Sequence, residues 1–159
     1  MMEMKNTLTD ELLSQVEAFT QDVDTSSFLE VNALFANVSV LLFGALDTVN
    51  WCGFYYLKDD GDLILGPFAG KPACTLLKKG HGVCQKAVET IQMVIVDDVH
   101  AFDGHIACDS ESRSEFVYPL LRGGDVFAVL DIDSPEKGHF TGDVFDLCKG
   151  VGVLLDSLL

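Results

Sequence analysis

The stretch Glu115-Phe-Val-Tyr-Pro-Leu-Leu-Arg-Gly-Gly-Asp-Val-Phe-Ala-Val-Leu-Asp-Ile-Asp133 decides the fold. Two runs rich in β-branched and aromatic residues, Glu115 to Leu121 and Asp125 to Asp133, meet at Arg122-Gly-Gly-Asp125. A Gly-Gly pair supplies the positive φ angles of a two-residue turn, so the pattern predicts an antiparallel hairpin. In its second arm, alternation places Val126, Ala128, Leu130 and Ile132 on one face and Phe127, Val129, Asp131 and Asp133 on the other. The first face is apolar throughout and needs a core. The second ends in two carboxylates.

Outward from this hairpin, Trp51 to Lys58 reads as another strand. Asp59-Asp-Gly-Asp62 is a turn signal, and Leu63, Leu65 and Pro67 lie on the returning arm. Gly70-Lys-Pro-Ala-Cys74 reads as a loop, residues 82–89 as a short helix and Gln92 to Val96 as a β-branched strand. Residues 97–113 are polar and turn-rich, and a loop of that length usually carries function or is disordered.

Helical spacing marks both ends of the chain. Leu12, Leu13, Val16 and Phe19 recur along Thr9 to Thr20, with Thr9 or Asp10 available as a cap. Phe28, Val31, Leu34, Val38, Leu41 and Leu42 make a stripe along residues 26–46, and Val144, Leu147, Cys148, Val151, Leu154, Leu155 and Leu158 make one along Thr141 to Leu159. Terminal helices around hairpin-linked strands predict an α+β fold, an antiparallel sheet with the N- and C-terminal helices packed on one face. No repeat or linker interrupts residues 1–159, which read as a single domain.

A formal charge of −15 disfavours nucleic acid and anionic lipid, which carry the same sign. The most apolar stretch, Leu34 to Leu46, contains Asn37 and Ser39 and is shorter than a bilayer crossing, so a buried helix is expected and no membrane partner. Met1 to Asn6 is not followed by an apolar signal core, and five cysteines are an odd number. A cytoplasmic protein in a reducing compartment, without a disulfide framework, is the expectation.

The cysteines divide by context. Cys148 lies on a helical stripe and Cys52 on an aromatic strand, and both read as core. Cys84 sits in the first turn of the short helix, where the backbone dipole favours a thiolate, yet it shares a face with Ala87, Val88 and Ile91; both readings stand. Cys74 occupies a loop near Lys78 and Lys79, whose charge would stabilise a thiolate. Cys108, in Gly104-His-Ile-Ala-Cys-Asp-Ser110, fits no amphipathic pattern and is the leading redox candidate. His81, His100 and His105 lie among these thiols, but no Cys-x-x-Cys pair exists and the spacings match no zinc knuckle, so no metal is expected.

Asp131 and Asp133 stand side by side where an apolar strand face ends, and Glu115 begins the preceding strand. Carboxylates that close resist joint ionisation, so one can hold a proton near neutral pH. Taken alone, Asp-Ile-Asp-Ser-Pro135 reads better as a polar strand exit with a turn.

Together, Asn50-Trp-Cys-Gly-Phe-Tyr-Tyr56, Gly66-Pro-Phe-Ala-Gly-Lys-Pro-Ala-Cys74, Gly80-His-Gly-Val-Cys84, Asp98-Val-His100, Gly104-His-Ile-Ala-Cys-Asp-Ser110, Ser114-Glu115 and Val129-Leu-Asp-Ile-Asp-Ser-Pro135 resemble the free methionine-(R)-sulfoxide reductases, single GAF-domain enzymes. One position departs from that pattern: Gln85 stands where the family usually has glycine. The resemblance implies that Cys108 attacks, Cys74 resolves and Cys84 is auxiliary, with the order among the three open. It implies that Glu115, Asp131 and Asp133 line the substrate pocket and that Trp51 forms an aromatic wall for the substrate methyl group. It further implies free methionine-(R)-sulfoxide as substrate, thioredoxin as reductant, a homodimer, and no bound cofactor. A non-catalytic GAF module that senses a small molecule or redox state is the alternative.

Overall fold

The strand that begins at Trp51 pairs with the strand that ends at Ser134, and this joins the two hairpins into one sheet. The computed structural model describes residues 7–104 and 110–159. Its elements are α1 (Thr7–Thr20), α2 (Phe28–Ala45), β1 (Trp51–Leu57), β2 (Leu63–Gly70), β3 (Leu76–Leu77), α3 (Val83–Thr90), β4 (Val94–Val96), β5 (Ser114–Arg122), β6 (Asp125–Ser134) and α4 (Gly142–Leu158). The strands form a six-stranded antiparallel sheet in the order β3-β2-β1-β6-β5-β4. The α+β architecture is the one expected, with α1, α2 and α4 on one face. The short α3 covers part of the other face, where Val83, Cys84 and Ala87 pack with Tyr55, Val117 and Val129.

Alternation along β1 explains this division. Cys52, Phe54 and Tyr56 point into the core beneath the three long helices, while Trp51 and Tyr55 point to the α3 side. Phe35 of α2 stacks on Phe54 with ring centroids 3.9 Å apart. Burying a side chain of this size contributes about 1.5–3 kcal/mol, so the α2 stripe of Val31, Leu34, Phe35, Val38 and Leu42 anchors the helix to the sheet. The mean hydropathy of α2, 1.7, and its 18 residues would suffice to cross a bilayer. Here that stripe is a core face, and Ser39 satisfies its hydroxyl on Phe35 O at 2.7 Å. Ser27 caps the helix by accepting from Glu30 N–H.

The β5–β6 turn has positive φ at both Gly123 and Gly124, as a two-residue hairpin requires. Strict alternation fails just beyond it. Leu120 pairs with Ala128 and Leu121 with Val126, which leaves Phe127 as the extra residue of a bulge. Phe127 therefore joins the core under the long helices and Val126 joins the α3 side, the reverse of the expected assignment. From Ala128 to Asp133 the expected alternation holds. Helix α1 begins at Thr7, so Thr9 and Asp10 lie inside its first turn. The strand expected over residues 92–96 shortens to Val94–Val96, because Ile91 ends α3 in a left-handed conformation at φ 52°.

Candidate active site

One row of residues across three strands builds the site. Asp133 on β6 pairs with Trp51 on β1 and with Glu115 on β5, so the three side chains stand abreast on the α3 side of the sheet. In the next row on this face, Asp131 lies between Gly53 and Val117. The first turn of α3 comes down over the carboxylates. Cys84 Sγ, a Glu115 oxygen and an Asp131 oxygen all lie within 4.8 Å of one another. Cys84 Sγ donates to Glu115 Oε1 at 3.9 Å.

Aromatic residues wall the other side. The Trp51 indole stacks on Phe68 at 5.4 Å and on Tyr55 at 5.8 Å. Its Nε1 donates to Lys71 O at 3.2 Å, and the Tyr55 hydroxyl donates to Cys74 O at 2.9 Å. Both ends of the loop that carries Cys74 are thus tied to the aromatic wall. Gly53 makes the stacking possible: a Cβ there would lie 2.4 Å from the Phe68 Cβ and 2.8 Å from the Trp51 ring. The enclosed space, about 50 Å³, lies between this wall, the Lys71–Ala73 segment, the start of α3 at Gly82 and the three carboxylates.

The GAF domain family matches residues 40–153. A relative from Escherichia coli (strain K12), the free methionine-R-sulfoxide reductase, is 51% identical over 118 residues, covering 74% of this chain and 69% of its own. The chain belongs to the free methionine-(R)-sulfoxide reductases of the GAF-domain family. Two solved structures agree. The reduced form of fRMsr of Staphylococcus aureus superposes with a TM-score of 0.85 at 37% identity, over 95% of this chain and 94% of that one. The free methionine-R-sulfoxide reductase of Neisseria meningitidis in complex with its substrate does so at 0.85 and 35%, over 97% and 89%.

For a member of this family, the electrostatics of the site turn on burial. Glu115 and Asp131 are 8% and 5% exposed. Loss of water raises the Glu115 pKa above the usual carboxylate range, although hydrogen bonds from Asp131, Asp133 and Cys84 pull it back. Burial, followed by the charges of Asp133 and Glu115, lifts Asp131 well above that range. Both shifts favour the protonated forms within the cluster, and Asp131 Oδ1 has no hydrogen-bond partner among the described residues.

The helix dipole loses at Cys84. Burial first, then the neighbouring carboxylates, push its thiol well above the ordinary value, so the group is S–H and not the thiolate that its helical position favours. Cys52 and Cys148 are fully buried, as their contexts predict, and burial pushes Cys148 up to about 12. Cys74 is half-buried in the pocket-side loop and disulfide-bonded, whereas Cys52, Cys84 and Cys148 are free. The Lys78 ammonium turns to Asp62 in the β1–β2 turn, and that carboxylate also accepts from the Lys79 backbone N–H. Cys108 lies outside the described residues, as does His105.

The structure thus brings Trp51, Cys84, Glu115, Asp131 and Asp133 around one cavity, with the Cys74 loop at its rim. Cys84, Glu115 and Asp131 are the described residues whose spacing could admit a metal ion. Protons shared among an S–H and two carboxyls account for the same contacts. Sequence reading missed Tyr55 and Gly53, which share the pocket face with Trp51 at the strand period of two.

Proposed function

We propose that this chain reduces free L-methionine-(R)-S-oxide to L-methionine, with its own thiols supplying the electrons. The observation that carries the reading is the row Trp51–Asp133–Glu115, which sets an aromatic wall beside a carboxyl whose burial favours its protonated form. A sulfoxide presents a methyl group for the former and a basic oxygen for the latter.

Cys108 attacks the electrophilic sulfur while a carboxyl of Glu115, Asp131 or Asp133 gives a proton to the oxygen. The oxygen then passes from the substrate sulfur to Cys108 Sγ as the bond between the two sulfurs breaks, so methionine leaves and Cys108 becomes a sulfenic acid. The Cys74 thiol condenses with it, releasing water and forming a disulfide. A thioredoxin dithiol reopens that bond by exchange and departs as a disulfide itself. The disulfide at Cys74, with Cys52, Cys84 and Cys148 free, supports a redox role for Cys74. The Neisseria meningitidis relative, solved with its substrate, supports the choice of substrate.

The acidic lining suits the ammonium group of a free amino acid, and the small cavity suits a ligand of that size. The protein acts as a homodimer in the cytoplasm, where thioredoxin is reduced. The test is a coupled assay with thioredoxin, thioredoxin reductase and NADPH, to which free methionine-(R)-sulfoxide is added. NADPH oxidation by the intact protein and its loss in Cys108→Ser are expected. Binding of the sulfoxide without methionine release would defeat the proposal and leave a sensor.

A further inference from the structure

We propose that Cys84 is a positioning residue for Glu115: its S–H, held in the first turn of α3, donates to Glu115 Oε1 and sets the orientation and proton affinity of that carboxyl. The catalytic part of this inference rests on the reading of Glu115 as a member of the proton-donating cluster.

The geometry is that of a donor under a carboxyl. Sγ lies 3.9 Å from Oε1, within reach of a sulfur hydrogen bond, and Cys84 is only 3% exposed. Its neighbours Glu115 and Asp131 offer proton acceptors, which favour the thiol over the thiolate. A thiol is a weak donor in water, but a hydrogen bond gains strength where water is excluded. Burial and the surrounding charges keep the group protonated, which suits donation and opposes nucleophilic attack. The seat of the thiol is also fixed by its neighbour. Gln85 Nε2 donates to Gly61 O at 3.0 Å and to Leu77 O at 2.9 Å, so the start of α3 is tied to the β1–β2 turn and to β3. A relay thiol must travel to exchange partners; this one is held in place. The positioning role takes the place of the auxiliary disulfide relay that sequence resemblance attaches to Cys84.

Glu115 is faced by Cys84 from α3, by Asp131 and Asp133 from β6, by Tyr55 from β1, and by His81 and Lys71 at the pocket rim. The S–H bond favours the ionised carboxylate and so opposes the effect of burial. Its removal raises the Glu115 pKa further.

The experiment is an infrared pH titration of the protonated carboxyl band, assigned with Glu115→Gln, in the full chain and in Cys84→Ala, Cys84→Val and Cys84→Ser. The two donorless variants are expected to titrate about half a pH unit higher, with serine restoring the original position. The alkaline limb of single-turnover methionine release should move with the band. After exposure to sulfoxide without reductant, alkylation should find Cys84 as a free thiol. A Cys84 disulfide after turnover, or one titration curve for wild type and both donorless variants, would overturn the inference. If the wild type releases no methionine, the functional reading fails, while the infrared titration still decides whether Cys84 sets Glu115.

Discussion

Asp133 stands directly opposite Glu115 across the β5–β6 pair, with the two carboxyls on one face of the sheet. Two such groups side by side favour a shared proton, since paired carboxylates offer acceptors only. The backbone register enforces it. Residues paired across neighbouring strands hold their Cβ atoms about 4.5–5.5 Å apart, and Asp133 has Trp51 on its other side. The carboxyl pair and the aromatic wall are therefore spaced by the sheet and not by a loop.

The cost of this arrangement should be visible in stability. The Asp131 pKa is raised in the folded state, so the native protein binds a proton that the unfolded chain releases near pH 4. Below that pH the group costs nothing; as pH rises towards the folded pKa, stability falls. Asp131→Asn removes the ionisable group while keeping its shape. Thermal unfolding should show the variant melting above wild type at pH 8, with the difference vanishing near pH 4. An equal difference at both pH values would rule out the burial of a proton as its cause.

Trp51→Phe tests the wall. The ring stays aromatic, but the hydrogen bond to Lys71 O is lost, and with it one tether of the loop that ends at Cys74. A bond of this kind is worth about 0.5–1.5 kcal/mol. The expected result is a KM for the sulfoxide raised by up to about tenfold, with a smaller change in kcat. Steady-state kinetics would show this, and an unchanged KM would mean that the tether does not shape the pocket.

Much of this was legible in the sequence because the determining signals are local. The Gly-Gly turn specifies the β5–β6 hairpin, and alternation from Ala128 to Asp133 brings both aspartates to the pocket face. The swap of Val126 and Phe127 was hidden, since a bulge depends on how Phe127 packs against Tyr56 and under Arg122. The protonated state of Cys84 was hidden too. A helix start suggests a thiolate, and only tertiary contact reveals that burial and carboxylates outweigh the dipole. Gly53 carries no pattern of its own, and its role emerges when Phe68 and Trp51 close over it.

Cys74→Ala should separate chemistry from recycling. Under the proposed sequence, one equivalent of methionine forms before the disulfide is needed, so the single-turnover burst is retained. The steady-state rate with thioredoxin should lose most of its value, because the sulfenic acid has no resolving partner. Rapid-quench measurement of methionine set against NADPH oxidation makes the comparison. Loss of the burst itself would assign Cys74 to the attacking step.

Gln85, the position where this chain departs from the family pattern, should prove structural with a functional echo. Its side chain is 1% exposed, and its amide nitrogen serves two backbone carbonyls, Gly61 O and Leu77 O. Gln85→Met keeps the volume but leaves both carbonyls without that donor, the Leu77 carbonyl in a buried setting. An unsatisfied buried acceptor costs about 1–3 kcal/mol. Because α3 also places Gly82, Val83 and Cys84 against the cavity, a loosened start of the helix should raise KM as well as lower Tm. Calorimetry and kinetics on the same variant test the linkage. A fall in Tm with KM unchanged would separate the clamp from the pocket, and an unchanged Tm would show that water replaces the amide at both carbonyls.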